Sequence, residues 1–311
     1  MKIASIDTGT NTVLMLIAEV LPSGHLRLIK ELHTMPRMGE GVFQSGEIKE
    51  EKISLLCDIY SNYAKEAYNH GVDKIIACGT NVFRIAGNRE EVRQRVKEAS
   101  GIEMEIIDGG TEAECSFLGA TADFDRSNAI TVIDIGGGST EITCKRGSEL
   151  LFQKSFSTGV VTLRENLIDK EMMTDSNLRA VESYCADFFR ELHSLRGISG
   201  LAISIAGTPT TLLSISKGLT EFNAEKLHKQ VLTVNEIRSI LDEFTGLKFT
   251  DYFRFGKIII GREDLMSAGA IILSSVLSNL GLTETHVSVT GLRYGLILRY
   301  LNSQKQEHHD F

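Results

Sequence analysis

The sequence contains no long apolar run and no closely spaced pair of cysteines. No segment approaches the roughly 18 consecutive apolar residues of a membrane-spanning helix, and Asp7 interrupts the apolar stretch that a signal peptide would need at the amino terminus. The five cysteines are odd in number, widely spaced and form no C-x-x-C pair, which favours free thiols over disulfides or a zinc site. These absences predict a cytoplasmic protein that does not bind membranes.

Positive charge is also scarce. The 311 residues include 33 Lys and Arg against 41 Asp and Glu, a formal net charge of −8 at pH 7. This balance argues against nonspecific nucleic-acid binding. It does not exclude a polyanionic substrate, because fixed charges beyond about 8–10 Å are largely screened at physiological salt, so a local cluster of arginines suffices. The length predicts two domains of about 150 residues each.

Three consecutive glycines stand in one short motif, ITVIDIGGGSTEIT at positions 130–143. Glycines after a strand allow positive φ and let successive backbone N–H groups approach an anion. The residues that follow alternate in polarity and are β-branched, so the segment predicts a hairpin. The strand-to-helix phosphate loops G-x-G-x-x-G and G-x-x-x-x-G-K-[ST] are absent. An ordinary glycine hairpin remains the alternative at this point.

A weaker copy of the motif, IASIDTGTNTVLML, occupies positions 3–16, nearly half a chain earlier. A repeat at this spacing predicts two domains of related topology rather than a solenoid. Strand-like and helix-like segments alternate in both halves, which indicates an α/β fold. The polar stretch near 124–128 is the best boundary and gives domains of residues 1–124 and 125–311. A terminal helix near 295–311 can pack back on the first domain.

Two carboxylates flank the glycine turn. Asp134 and Glu141 lie on the two arms of the predicted hairpin, where both can point at one spot. Mg²⁺ commonly binds one or two carboxylates together with substrate phosphates and waters. Ser139 and Thr140 can add hydroxyl donors. The alternative is that Glu141 is a solvent-facing strand residue.

Seven segments occur in the order found in one family. They are IDTGTNTVLMLI (6–17), GTNVFRIAGN (79–88), GTEAECSFLGA (110–120), DIGGGSTEI (134–142), STGVVTL (157–163), AGTPTTL (206–212) and VTGLRYGL (289–296). Together they resemble the exopolyphosphatase / guanosine pentaphosphate phosphohydrolase (Ppx/GppA) family over nearly the whole chain. The resemblance implies an α/β fold of duplicated actin-like ATPase (ribonuclease H-like) domains, with polyphosphate in an interdomain cleft.

The resemblance also implies roles for individual residues. It makes Arg84 a catalytic cation, places Mg²⁺ at Asp134 and Glu141, and assigns one phosphate-binding turn to each domain. The substrate-binding residues that it implies are Asp7, Gly9, Thr10, Asn11, Thr80, Asn88, Gly136, Gly137, Gly138, Ser139, Thr140, Gly207, Thr208, Arg262 and Arg293.

Glu112 matches the glutamate that acts as general base on water in that family. Independently, Thr111-x-x-Glu114 fits a capping box, which predicts Thr111 as the N-cap and Glu112 as the first helical residue. The helix dipole favours the ionised carboxylate at that position, and such a carboxylate can accept a proton from water. A role limited to complementing the dipole is the alternative.

Three positions depart from the family pattern. Leu14 and Glu114 stand where arginines are common, and Tyr294 stands where a glutamate follows G-L-R. Losing two cations should weaken attraction for a polyanion, and Arg84, Arg262 and Arg293 are candidates to compensate.

The sequence therefore predicts a Mg²⁺-dependent exopolyphosphatase that releases terminal orthophosphate from inorganic polyphosphate. The alternatives are guanosine pentaphosphate 5′-phosphohydrolase activity, an ATP-using kinase-like activity, and a non-catalytic sensor of polyphosphate or nucleotide. The apolar helix predicted over 264–281 leaves room for a homodimer.

Overall fold

The computed structural model describes residues 1–169 and 171–307, with Gln306 and Glu307 as backbone only. The chain divides into two compact units. The first comprises Met1–Gly119 together with the segment that begins at Thr290, and the second comprises Ala120–Val289. Residues 308–311 of the predicted terminal helix lie outside the described part of the chain.

The first unit is a mixed sheet flanked by helices. Its strands are β1 (Lys2–Thr8), β2 (Val13–Val20), β3 (Leu26–Thr34), β4 (Lys74–Gly79) and β5 (Met104–Ile106). Its helices are α1 (Val42–Ser45), α2 (Glu50–Asn69), α3 (Asn81–Ile85), α4 (Arg89–Ser100) and α5 (Gly109–Ala120), which ends at the boundary. The sheet order is β3-β2-β1-β4-β5. The pairs β1–β2 and β2–β3 are antiparallel, whereas β4 runs parallel to β1 and β5.

The core of this unit follows directly from helical and strand periodicity. On α2, Leu56, Tyr60 and Tyr63 lie on one face and are buried. They join Ile6 and Met15 from alternate positions of β1 and β2 in one apolar cluster. The helical spacing in the sequence predicts this buried face of α2.

The second unit repeats this arrangement. Its strands are β6 (Ala129–Ile135), β7 (Thr140–Arg146), β8 (Glu149–Phe156), β9 (Leu201–Ile205), β10 (Val231–Thr233) and β11 (Glu284–Val287). Its helices are α6 (Val160–Leu167), α7 (Asp175–Phe188), α8 (Gly207–Ser216), α9 (Ala224–Leu227), α10 (Val234–Phe244) and α11 (Met266–Leu280). Short 3₁₀ segments occupy Arg190–Leu195, Phe249–Phe255, Lys257–Ile259 and Glu263–Leu265.

The order of the second sheet is β8-β7-β6-β9-β11-β10. Its first five strands reproduce the order of the first sheet, and β10 adds one antiparallel edge strand. The duplicated α/β fold predicted from the sequence repeat is thereby confirmed. Among the residues described, no helix is both long enough and apolar enough to cross a membrane.

Helix α11 carries the most apolar stretch of the second unit, and nearly all of its residues are buried there. It packs against α6, α7, α8 and α10. Packing within its own unit accounts for the apolar character of this helix. The apolar residues of 264–281 therefore give no support for a homodimer, and the dimer stays a prediction.

The last helix, α12 (Leu292–Glu307), belongs to the first unit. The Ser5 hydroxyl donates to the Arg293 carbonyl at 2.8 Å, and Ile297 packs against Ile3 and Leu16. Glycine allows the close crossing of α12 and α5, since a Cβ on Gly295 would lie 1.7 Å from the carbonyl oxygen of Cys115. Helix α12 thus covers the sheet face opposite α2.

Candidate active site

The two Asp-x-Gly segments form turns with matching hydrogen bonds. In the first unit the Gly9 N–H donates to the Thr12 carbonyl at 2.8 Å. In the second unit the Gly136 N–H donates to the Ser139 carbonyl at 2.9 Å. Each turn joins the first two strands of its sheet, so the repeat seen in the sequence is also a repeat in backbone structure.

Strand register then fixes which side chains face each other. Asp134 pairs with Glu141 across β6 and β7, and Asp7 pairs with Leu14 across β1 and β2. Side chains at directly opposite positions point to the same face of the sheet. Leu14 therefore takes the place in the first hairpin that Glu141 has in the second. Of these two hairpins, only the second brings a pair of carboxylates together.

The second turn rests on the start of α6. The carbonyls of Gly136 and Gly137 accept hydrogen bonds from the N–H groups of Val160 and Val161 at 3.0 and 2.7 Å. A trans peptide holds its C=O and N–H on opposite sides, so the N–H groups that follow these carbonyls point away from α6. Gly159 permits this contact, because a Cβ there would lie 2.5 Å from the Gly136 carbonyl oxygen. The turn thus presents successive N–H groups on its outer side, an arrangement that suits an anion.

The first turn is supported in the same way by the segment after β3. The carbonyls of Thr10 and Asn11 accept from the N–H groups of Gly39 and Arg37 at 2.7 and 3.1 Å. Arg37 has a left-handed backbone with φ of 53°, and a Cβ on Gly39 would lie 2.1 Å from Thr10 Cγ2. The side-chain oxygen of Asn11 is buried without a hydrogen-bond partner among the described residues, so it can accept a hydrogen bond from a donor at the turn. Sequence reasoning missed this support, and its signal is the Pro-Arg-Met-Gly run after β3.

Helix α5 begins earlier than the capping-box pattern predicts. Asp108 is the capping side chain, since its Oδ1 accepts from the Thr111 N–H at 2.8 Å and its Oδ2 from the Thr111 hydroxyl at 3.1 Å. The backbone N–H of Thr111 lowers the pKa of the Asp108 carboxyl. The prediction of Thr111 as N-cap is therefore wrong. Glu112 still lies in the first turn of the helix, where the dipole acts on its carboxylate.

Glu112 forms an ion pair with Arg84. The Arg84 Nη1 lies 2.5 Å from Glu112 Oε2 and also donates to the Ile107 carbonyl at 3.1 Å. The two side chains are largely buried, with 21% of the Arg84 and 10% of the Glu112 side chain exposed. The structure therefore brings together the two residues that the family resemblance makes catalytic.

Thr80 and Asp7 complete this group in the first unit. The Thr80 N–H donates to the Thr8 carbonyl at 3.1 Å, and its hydroxyl lies 3.9 Å from the position of a Cβ on Gly9. Burial raises the pKa of the Cys78 thiol well above its ordinary value, and the nearby carboxylates of Asp7 and Glu112 add to the shift. The first turn, the Thr80 hydroxyl, the Arg84 guanidinium and the carboxylates of Asp7 and Glu112 thus lie near the carboxyl ends of β1 and β4.

Two other residues of the first unit have protein partners. The Asn88 side chain bonds the backbone of Ile48 twice, accepting from its N–H at 3.0 Å and donating to its carbonyl at 2.8 Å. Arg293 pairs with Glu31 of β3 at 3.1 Å. These contacts hold Asn88 against residue 48 and Arg293 against β3.

In the second unit the carboxylate pair is unequally exposed. Asp134 is half-buried, whereas Glu141 is only 2% exposed and its Oε1 accepts from the Ser155 hydroxyl at 2.6 Å. Within the described ranges, no cluster of three or more His, Cys, Asp or Glu side chains could hold a metal ion. Two carboxylates fit Mg²⁺ that takes its remaining ligands from phosphate and water.

The hydroxyls beside this turn are buried. Thr140 donates to the Thr158 carbonyl at 2.7 Å and so ties β7 to the segment that supports the turn. Ser139 lies at the end of the turn and is 3% exposed.

Gly207 and Thr208 begin α8 immediately after β9, and Arg262 lies directly over Gly207. A Cβ on Gly207 would lie 2.2 Å from Arg262 Nη1, which also donates to the Thr211 hydroxyl at 3.3 Å. Burial lowers the pKa of the Arg262 guanidinium. The structure thus joins Gly207 and Arg262 in one group of the second unit, whereas the Thr208 side chain packs against Gly269 of α11.

Comparisons with known proteins agree with these features. A model of the Ppx/GppA phosphatase family matches residues 16–304. Exopolyphosphatase 1 of Mycobacterium leprae is 27% identical over 98% of this chain and 91% of its own length. The bifunctional 3-dehydroquinate synthase/phosphatase of Fusobacterium nucleatum is 28% identical over 95% of this chain, which spans 46% of that longer protein.

Solved structures show the same relationship. The crystal structure of the Aquifex aeolicus Ppx/GppA family member is 26% identical, covers 98% of both chains and has a TM-score of 0.83. An exopolyphosphatase from Cytophaga hutchinsonii shares the fold with a TM-score of 0.88 at 22% identity. The chain belongs to the Ppx/GppA phosphatase family, as its motifs predict.

Proposed function

We propose that this protein is a Mg²⁺-dependent exopolyphosphatase that hydrolyses the terminal phosphoanhydride bond of inorganic polyphosphate. The observation that carries the proposal is the repeated Asp-x-Gly turn. In both units the carbonyls of this turn accept hydrogen bonds from another segment of the same unit. Each turn presents backbone N–H groups that suit a phosphate group, which is the repeating unit of polyphosphate. The Mycobacterium leprae relative, which aligns over nearly its whole length, is named an exopolyphosphatase.

In the proposed reaction the turns bind phosphate groups through backbone N–H groups and small side chains. Gly9, Thr10 and Asn11 act in the first unit. Gly136, Gly137 and Gly138 act in the second. Phosphoryl transfer depends mostly on positioning and on electrostatic stabilisation of the phosphoryl oxygens, which such donors supply.

Glu112 acts on the attacking water, and Arg84 acts on the negative charge that develops on the phosphoryl group. A carboxylate accepts hydrogen bonds at both oxygens, so Glu112 can bind Arg84 through Oε2 and orient a water as well. Proton transfer to a carboxylate placed in this way contributes about a hundredfold or more to the rate. Arg84 places a permanent positive charge beside the reacting groups.

Asp134 and Glu141 would hold the magnesium ion. Bound there, Mg²⁺ would supply positive charge that offsets the charge of the phosphate oxygens. The facing positions of the two carboxylates in the β6–β7 register support this assignment.

A panel of substrates tests the proposal. The protein is incubated with Mg²⁺ and long-chain polyphosphate, guanosine pentaphosphate, or ATP with glycerol, and released orthophosphate and ADP are followed. We expect orthophosphate from polyphosphate. Release from guanosine pentaphosphate alone would favour the 5′-phosphohydrolase alternative, and ADP formed only with glycerol would favour a kinase. Tight binding of polyphosphate without turnover would contradict the proposal and indicate a sensor.

A further inference from the structure

Three polar side chains form a row across β6, which precedes the second turn, and β7 and β8, which follow it. Asp134 pairs with Glu141 across β6 and β7, and Glu141 pairs with Ser155 across β7 and β8. Opposite residues on neighbouring strands share one face of the sheet, so the three side chains stand side by side. The Ser155 hydroxyl donates to Glu141 Oε1 at 2.6 Å.

This contact constrains the one member of the row that is almost fully buried. Glu141 is 2% exposed, and a buried carboxylate requires hydrogen-bond donors. By engaging Oε1, Ser155 restricts the rotation of the carboxylate and so fixes the direction in which its oxygens can accept a further ligand. Donors that hold a metal-binding side chain in this way tune the affinity of the site for its metal.

We propose that Ser155 is a positioning residue that orients Glu141 for Mg²⁺. The inference rests on the proposed function, in which Asp134 and Glu141 hold the metal. It adds a residue from β8, a strand that lies outside the seven segments that resemble the family.

The architecture around Ser155 does not depend on its hydroxyl. The backbone ladder between β7 and β8 runs from Thr140–Phe156 to Arg146–Glu149 and holds β8 in register without it. The Thr140 hydroxyl separately ties β7 to Thr158. Removing the Ser155 hydroxyl should therefore leave the fold intact and change the metal site.

The matched variants are Ser155→Ala, Ser155→Thr, which keeps a hydroxyl, and Ser148→Ala at the far end of the same hairpin. Mn²⁺ serves as the probe, and the electron paramagnetic resonance signal of the free ion gives the dissociation constant. We expect Ser155→Ala to weaken Mn²⁺ binding by at least about tenfold, the scale found for such supporting residues. Ser155→Thr should recover most of the affinity, Ser148→Ala should match the wild type, and all variants should keep the wild-type melting temperature.

A second set of measurements separates the possible failures. If Asp134→Asn loses Mn²⁺ but Ser155→Ala binds it as tightly as the wild type, the role of Ser155 is overturned and the metal site stands. If the wild type and Asp134→Asn bind Mn²⁺ equally, or if neither binds it with inorganic phosphate present, the metal assignment is overturned, and the role of Ser155 with it. Orthophosphate release from polyphosphate, measured on the same wild-type preparation, reports on the proposed hydrolase independently.

Discussion

Ala206 adopts a backbone conformation that belongs almost entirely to glycine. Its φ of 73° and ψ of −164° lie in a region that costs a residue with a Cβ on the order of 1–3 kcal/mol. Ala206 immediately precedes Gly207 and Thr208, so the strain is located beside a predicted substrate-binding group.

Ala206→Gly should therefore stabilise the protein. We expect the free energy of unfolding to rise by about 1 kcal/mol, because relief of strain exceeds the added flexibility of glycine in the unfolded chain. Urea denaturation of the second unit measures the change. Ala202→Gly in β9, a buried position without positive φ, is the control and should be destabilising. A loss of stability in Ala206→Gly equal to that of the control would contradict the argument.

At the residue scale, local spacing predicts some contacts and misses others. The Asp134–Glu141 spacing is enough to place both on one face, because hairpin pairing is a local rule. The partner of Asn88 is Ile48, forty residues away along the chain, and no local pattern reveals it. The prediction of Thr111 as the N-cap of α5 is wrong because Asp108, just before two glycines, accepts a hydrogen bond from the Thr111 N–H. In the capping-box pattern that N–H would instead donate to the Glu114 side chain.

At the scale of elements, the hairpins and the long amphipathic helices follow from periodicity, but the supports of the two turns do not. Those supports are Gly39 and the start of α6, which contact the turns only through tertiary packing. The shape of each turn, and with it the direction of its N–H groups, depends on an element elsewhere in the chain.

Gly159→Ala should disturb the second turn without unfolding the unit. The added Cβ would lie 2.5–2.6 Å from backbone atoms of Gly136 and Gly137, so the turn must shift. A displacement of about 1 Å at a phosphate site can cost up to a hundredfold in rate. We expect kcat on polyphosphate to fall by at least about tenfold while the circular dichroism spectrum is unchanged.

Gly87→Ala provides the control for this experiment. Its Cβ would make an ordinary contact of 3.5 Å with the Gly46 carbonyl oxygen, so activity should be close to that of the wild type. A folded Gly159→Ala variant with wild-type kcat would show that the turn does not need its support from α6.

For the whole molecule, the two units differ in how the chain builds them. The second unit is one continuous segment, Ala120–Val289, whereas the first is completed only when the chain returns at Thr290. Helix α12 covers Ile3 and Leu16 through Ile297, which is itself fully buried. The sequence repeat predicts two related folds. It does not predict that the first unit is built from two separate segments of the chain and the second from one.

Fragments of the chain test this difference. We expect residues 120–289 to fold alone with a cooperative thermal transition. Residues 1–119 should lack such a transition, because the apolar sheet face that α12 covers is then exposed. A peptide of residues 290–311 should restore it, and the same peptide with Ile297→Asp should not. A cooperative transition in residues 1–119 without the peptide would contradict the expectation.

Glu112→Gln gives the sharpest test of the proposed hydrolase, through its rate of orthophosphate release from polyphosphate. The amide keeps the size of the side chain and removes the basic oxygen, and Glu114→Gln, an exposed position on the same helix, is the matched control. We expect Glu112→Gln to fold normally, still bind polyphosphate and lose at least about a hundredfold in kcat, whereas Glu114→Gln should stay near the wild type. Unchanged release from Glu112→Gln would remove Glu112 from the mechanism and contradict its role as the general base.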